Sequence, residues 1–399
     1  MRAVIVGGGI AGPATAMALR AVGVEPVVIE ARSVTDRDEG SWFTISPNGL
    51  AALDVLDALG PVRALGVPTR RNVIVGATGR GLGALSLGTP LPDGTPALSF
   101  KRPRLAGALV DEARRRGIEV LDGVRVSGAE QDARGAAVVC DDGTRLTGDL
   151  VIGADGIHSA IRTAIDPDTP TGRYVGLTNF GGVTHDPTIA ATLPAESWYF
   201  VFGRRAFFGA LPTPTGDVVW FVNVPEAPIS GAQRSATSES GWRDRLGALA
   251  APDAGPFAGL IARGRLELAA DNTYDLPSVP VWHRGRLGLV GDAIHAPAPS
   301  SGQGASMALE DAVVMASSLA AATTIEAGFE GFERARRARV ERIVAVGARA
   351  SSTKTPRGIR RVLNDAAMRL VFRHVVTEKS QAWMFDHRVA LDPRARVVG

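Results

Sequence analysis

The stretch Arg2-Ala3-Val4-Ile5-Val6-Gly7-Gly8-Gly9-Ile10-Ala11-Gly12 decides the fold. A short apolar strand runs straight into G-x-G-x-x-G, and Ala14 to Ala21 continue at helical spacing. In a dinucleotide-binding fold Gly7 makes the tight turn, Gly9 lets a pyrophosphate approach the backbone, and Gly12 lets helix and strand pack closely. Ile10 and Ala11 then sit at the helix N-terminus, where phosphates bind. The next strand, Glu25-Pro26-Val27-Val28-Ile29, ends at Glu30, about where such a fold places an acid against the ribose hydroxyls. Arg32 follows within reach of the same nucleotide.

Several dinucleotides would fit that motif, and a later segment chooses among them. Leu289-Val290-Gly291-Asp292-Ala293-Ile294-His295 runs on through Pro299 and Gly302-Gln303-Gly304-Ala305 into Met307-Ala308-Leu309-Glu310-Asp311-Ala312. An apolar strand delivers a Gly-Asp pair, a proline-rich loop follows, and a glycine turn opens a helix. That arrangement holds an extended diphosphate ligand at a helix N-terminus, and it reads as the second half of a flavin site.

At 399 residues with 45% hydrophobic content, the chain can bury a large core and divide into two or three domains. The sequence pI is near 9.4, yet the formal charge is only +3 and spread along the chain, which argues against nucleic acid as a partner. Cys140 is the single cysteine and reads as structural, so no internal disulfide or cysteine-rich metal site is expected, and no metal ligands are assigned. The first residues enter a strand without a charged leader, and no apolar run approaches the length of a membrane span. The expectation is a cytoplasmic protein that does not engage a membrane.

The expected fold is α/β: a Rossmann-like nucleotide domain with an inserted antiparallel β-sheet domain and C-terminal helices. Residues 1–70, 101–170 and 275–350 form the discontinuous nucleotide domain. Residues 71–100 and 171–274, which alternate and turn aromatic, form the substrate domain, and 351–399 a helical segment. The basic stretch Arg334 to Arg339 has apolar partners at helical spacing and reads as a solvated helix face.

With these residues assembled, the chain resembles the group A flavoprotein monooxygenases, which include salicylate and para-hydroxybenzoate hydroxylases and tetracycline-inactivating monooxygenases. The resemblance implies FAD as cofactor, with Gly7, Gly9, Gly12 and Glu30 on its ADP half. Arg102-Pro103-Arg104-Leu105 followed by Leu109 looks like the family's R-x-x-L-x-x-x-L helix start, which maps the diphosphate-binding arginine to Arg102, with Arg104 close by. Asp155-Gly156 matches the Asp-Gly motif associated with FAD and the nicotinamide cofactor, although Asp155 also reads as a turn-forming residue. Asp292 would contact the ribityl-pyrophosphate region, and the Gly302-Gln303-Gly304-Ala305 backbone would face the isoalloxazine ring, where N–H groups stabilise a reduced flavin.

The resemblance further implies reduction by NADPH or NADH, reaction with O2 to a flavin C4a-hydroperoxide, and transfer of one oxygen atom to an aromatic or polycyclic small molecule, as in secondary metabolism. Trp42, Phe43, Phe180, Trp198, Phe200, Phe202, Phe208 and Trp220 are candidate substrate-facing residues. His185, Arg204, Asp217 and Asn223 are candidate polarising groups, His295 has a packing and hydrogen-bonding role, and no catalytic base is assigned. Phe180-Gly181-Gly182 lacks the arginine that many salicylate-hydroxylase-like members carry near this point, which favours a larger apolar substrate over a simple benzoate. The W-x-W-x-I-P signature of flavin halogenases is absent. A flavin dehydrogenase that never inserts oxygen, or a non-catalytic dinucleotide-binding protein, would share the same cradle.

Overall fold

A computed structural model describes residues 1–33, 40–297, 301–351 and 378–392. Pro299 and most of 351–399 lie outside the described residues; within the latter, Glu378–Phe385 is helical.

Strand Arg2–Val6 buries every residue after Arg2, the pattern of a central strand covered on both faces. It pairs in parallel with Leu150–Gly153 on one side and Glu25–Glu30 on the other. Leu287–Leu289 and Glu119–Asp122 extend the parallel sheet, and His283–Arg284 closes one edge antiparallel. Helix Ala11–Ala21 packs against helices Arg102–Arg115 and Gly304–Ala321, while the meander of Val126–Gln131, Ala136–Cys140 and Arg145–Gly148 packs against the central strands. This is the expected nucleotide-binding architecture.

A second sheet has seven strands in the order Arg265–Asp275, Arg173–His185, Asp217–Pro225, Phe207–Pro212, Ser197–Phe202, Arg71–Gly76 and Gly81–Ser86. Its joins are antiparallel except one, where Ser197–Phe202 runs parallel to Arg71–Gly76. The expectation of a purely antiparallel sheet is corrected at that join. Between Ser86 and Ser197 the chain passes through the nucleotide domain, and so long a connection permits a parallel pairing that a tight hairpin cannot make.

The two faces of this sheet have different neighbours. One face carries Phe180, Val201, Phe208, Trp220 and Val222 into a core shared with helices Glu239–Ala250 and Phe257–Arg263. The opposite face carries Trp198, Phe200, Leu211, Val219 and Phe221, packed with Trp42 and Val67. Those last two belong to a three-stranded sheet of Trp42–Ile45, Leu98–Lys101 and Val67–Pro68. Trp198 Nε1 locks the layers together by donating to Thr44 Oγ1 at 2.9 Å and Ser99 Oγ at 3.1 Å. Strand Leu98–Lys101 then leads directly into helix Arg102–Arg115.

Among the described residues no helix is long and apolar enough to cross a membrane, and no group of three or more His, Cys, Asp or Glu is placed to hold a metal ion.

Candidate functional site: a dinucleotide cradle and the sheet beside it

Gly12 permits the strand-to-helix turn, because a Cβ there would lie 1.8 Å from the Gly7 carbonyl oxygen. At Gly9 an added Cβ would meet nothing within 4 Å, so the backbone is open to a ligand at that point. Helix Ala11–Ala21 has no side-chain cap, which leaves its first N–H groups for an anion. Glu30 braces the loop: its Oε2 accepts from Gly8 N at 2.5 Å and its Oε1 from Arg32 N at 2.8 Å. Each oxygen retains acceptor capacity for a ribose hydroxyl. The Arg32 side chain is exposed.

The Gly-Asp motif folds back onto this loop. Gly291, at φ 63°, begins a single 3-10 turn, and a Cβ there would sit 2.9 Å from Ala11 Cβ. That close approach carries Asp292 to the start of the first helix. Arg102 Nη2 lies 3.6 Å from Asp292 Oδ2, so the structure brings together the two residues that the motifs assign to one diphosphate region. Arg104 is exposed in the same first turn. Helix Gly304–Ala321 also starts without a side-chain cap, and the surroundings of Gly302 are open. The donor set therefore fits FAD: two uncapped helix starts, an acid at the ribose position, and an arginine beside an aspartate.

Gln303 turns its side chain away from the open loop. Its Oε1 accepts from Asn48 Nδ2 at 3.0 Å, its Nε2 donates to Ser46 Oγ at 3.0 Å, and its backbone N–H donates to Ser301 Oγ at 3.2 Å. Ala305 is partly exposed in the first turn of the helix. Asp155 has the geometry of the turn-forming reading. Ser159 Oγ donates to its Oδ1 at 2.5 Å, and the backbone N–H groups of Ala160 and Ile161 donate to its Oδ2 at 2.8 and 3.2 Å. Burial pushes this carboxyl up, against the pull of those hydrogen bonds. Arg162, on the helix so capped, donates through Nη1 to Ala293 O at 3.0 Å and ties the Asp-Gly turn to the Gly-Asp turn.

Behind Gln303 lies a cluster of buried charges. Arg336 donates to Asp311 Oδ1 at 2.7 Å and to Glu310 Oε2 at 2.5 Å, and Arg339 donates to both oxygens of Glu310 at 2.9 and 2.7 Å. Asp311 Oδ2 also accepts from Gly291 N at 3.0 Å and meets His295 Nε2 at 2.5 Å. Burial alone would raise the Asp311 carboxyl, but the His295 imidazole and Arg336 guanidinium hold it down at about 2. The reading of Arg334 to Arg339 as a solvated face is thereby corrected. Arg334 is exposed, but Arg336 is almost fully buried and Arg339 nearly so, because two acids on the neighbouring helix compensate them. A sequence signal for this existed: Glu310-Asp311 interrupts an otherwise apolar helix.

The aromatic candidates divide by sheet face. Trp198 and Phe200 lie on the side facing the nucleotide domain, stacked at 5.9 Å between ring centroids, and Trp42 packs with them. Phe202 shares their strand parity and contacts Phe207 at 4.9 Å. Phe180, Phe208 and Trp220 point the other way. Phe180 packs on Trp242, Phe208 on Phe257, and Trp220 Nε1 donates to Thr184 Oγ1, so all three are helix-covered core rather than cleft residues. Phe43 turns to Phe100 and the nucleotide-domain core. His185 and Asp217 pair with each other at 2.8 Å at an exposed sheet position, and the Arg204 backbone N–H donates to Asp253 on a loop. Asn223 is the one buried residue of the four polarising candidates, and it lies on the Trp198 side. Its cross-strand neighbour Asn179, together with Asp271, was not singled out by sequence.

The paired uncapped helices, the Arg102–Asp292 contact and the adjoining seven-stranded sheet define the class: an FAD-dependent oxidoreductase built like the aromatic hydroxylases. The family model described as FAD binding domain matches residues 1–350, and the chain belongs to that family, within the group A flavoprotein monooxygenases. It is similar to the FAD-dependent urate hydroxylase of Klebsiella pneumoniae subsp. pneumoniae, with 31% identity over 351 residues, 86% of this chain and 88% of the relative. The chloroplastic zeaxanthin epoxidase of Solanum lycopersicum is 30% identical over 82% of this chain and 49% of its own length. Among solved structures, Klebsiella pneumoniae HpxO complexed with FAD and uric acid superposes with a TM-score of 0.80 at 28% identity, covering 93% of each chain.

Proposed function

We propose that this enzyme uses NADPH or NADH and O2 to hydroxylate or otherwise oxygenate an aromatic or polycyclic small molecule. The observation that carries this reading is the junction of the FAD cradle, marked by the Arg102–Asp292 contact, with a sheet face that presents aromatic and amide side chains. Gly7 to Gly12, Glu30 and Arg32 would hold the adenosine half of FAD, and Arg102, Asp292 and Gly302 to Ala305 the diphosphate and ring half. Bound there, FAD would supply electron transfer from the reduced nicotinamide to oxygen, chemistry that belongs to the cofactor. The protein's own contribution is positional. Trp42, Trp198, Phe200 and Phe221 would exclude water and flank an apolar ring system, while the polar groups of the same face orient it. The uncapped start of helix Gly304–Ala321 would favour negative charge beside the ring.

The relatives named for urate and zeaxanthin act on very different molecules, which supports assigning substrate choice to the sheet rather than to the cradle. The domain boundaries of the sequence reading, 71–100 and 171–274 for the substrate domain, are part of the same proposal. The test is reconstitution with FAD and a panel of aromatic compounds under air. Substrate-accelerated oxidation of NADPH or NADH with a product one oxygen atom heavier is expected. Accelerated oxidation with an unoxygenated, dehydrogenated product would assign the chain to the flavin dehydrogenases instead.

A further inference from the structure

The side of the seven-stranded sheet that faces the nucleotide domain carries a polar row whose asparagine amide oxygens have no hydrogen-bond partner among the described residues. Asn179 and Asn223 are direct cross-strand neighbours, and Asp271 lies opposite Asn179 on its other flank. Asn223 is 8% exposed, and the Oδ1 atoms of both asparagines are buried with no hydrogen-bond partner among the described residues. Leaving a buried amide oxygen unpaired costs about 1–3 kcal/mol. Two such atoms side by side leave this surface open to a hydrogen-bonding partner from outside the chain.

Asp271 reaches this row through a break in the sheet. Asn179 and Gly181, two positions apart, pair with Asp271 and Leu268, three positions apart, and the adjacent Gly181 and Gly182 pair with Leu268 and Leu266, so strand Arg265–Asp275 carries one extra residue at each step. The bulge contains Ala270 at φ 53°, a left-handed conformation that costs a non-glycine residue roughly 1–2 kcal/mol. Ala269 and Ala270 both turn into the helix-covered core, and the parity of the strand is reset. Counted from Leu268, Asp271 would point into that core without the extra residue between them. Bulges re-aim side chains in this way beside active sites. Asp271 is itself exposed; partial desolvation pushes its carboxyl up, against the positive charges of Arg234 and Arg102, and Arg102 also meets Asp292. Arg102 is thus faced by carboxylates of the protein.

We propose that Asn179, Asn223 and Asp271 form the recognition row for the substrate's polar edge, and that this edge is a neutral adjacent N–H and C=O, as in a lactam or cyclic imide fused to an aromatic ring. Two carboxamides offer donors and acceptors together, and Asp271 adds an acceptor for the N–H. An arene carboxylate offers acceptors only, and it would meet the Asp271 carboxylate. This rests on the monooxygenase reading only for placing the substrate on this face.

The test is titration of FAD-loaded wild-type protein with 2-quinolone, N-methyl-2-quinolone and 2-naphthoate, followed by the flavin difference spectrum. Binding of 2-quinolone about tenfold or more tighter than either other probe is expected. Asn179→Leu and Asn223→Leu should each weaken 2-quinolone by about tenfold at unchanged FAD content, and Asp271→Asn should narrow the gap between quinolone and naphthoate. Equal or tighter naphthoate binding, no response to any probe, or leucine variants that bind 2-quinolone like the wild type would overturn the assignment. If a variant fails to fold, the wild-type probe ratio still decides. Selective quinolone binding without any oxygenated product would sink the monooxygenase reading and leave the row standing; oxygenation without the selectivity would do the reverse.

Discussion

The charged cluster behind Gly302–Gly304 and the two asparagine amide oxygens on the sheet are both withdrawn from water, yet they are treated differently. In the cluster every charge has a partner: Arg336 and Arg339 match Glu310 and Asp311, and only the second nitrogen of His295 and the amide oxygen of Asn48 are left over. In the row neither asparagine amide oxygen has a hydrogen bond within the described protein, and the flanking strand is bulged to add a carboxylate. A buried ion network that is satisfied internally is scaffold, here fixing the loop and helix start that would face a flavin. Two unsatisfied amide oxygens side by side on an open sheet face are instead placed to be matched from outside the chain.

Removing one charge from the cluster should have the largest effect. Arg336→Met leaves two acids buried and should destabilise the fold by about 3–5 kcal/mol, read as a lower midpoint in urea; a variant of wild-type stability would mean that the cluster is not a closed scaffold. Acid should attack the same place. The folded chain holds the Asp311 carboxyl at about 2, below its ordinary value of 3.8, so its stabilising contribution is complete above that ordinary value and is lost as pH falls toward about 2. Thermal melts across that window should show a drop that Asp311→Asn, already destabilised, lacks. The row should behave in the opposite sense. Asn223→Leu removes an unpaired buried amide and should leave stability unchanged or raise it by about 1–2 kcal/mol, while weakening substrate-probe binding. Smallest is Ala270→Gly, which relieves a left-handed backbone and should raise stability by up to about 1 kcal/mol without moving Asp271. A clear loss of stability there would show that the bulge is unstrained.

The cradle was legible in the sequence because its signals are local. Gly7, Gly9 and Gly12 follow a strand at fixed spacing, and Gly291-Asp292 follows another, so the turns are specified by the residues that make them. Arg102 was reachable through the resemblance to the family's R-x-x-L-x-x-x-L helix start, which left Arg104 beside it as an alternative. What escaped detection depends on parity and on distant partners. Helical spacing places Arg336 on some face of its helix, but only the packed Glu310 and Asp311 say that the face is buried. Alternation put Trp198, Phe200 and Phe202 on one side correctly, whereas Phe180, Phe208 and Trp220 belong to the other, because strand parity does not say which side the helices cover. Asp271 was the hardest case: nothing in Leu268-Ala269-Ala270-Asp271 announces the extra residue that turns it toward Asn179.

The most direct test of the account is turnover of FAD-loaded wild-type enzyme with NADPH, a lactam-bearing aromatic substrate and isotopically heavy dioxygen. A product carrying one heavy oxygen atom, formed in proportion to the reductant consumed, is expected. A product whose new oxygen comes from water, or one that carries no new oxygen while reductant is still consumed, would contradict it.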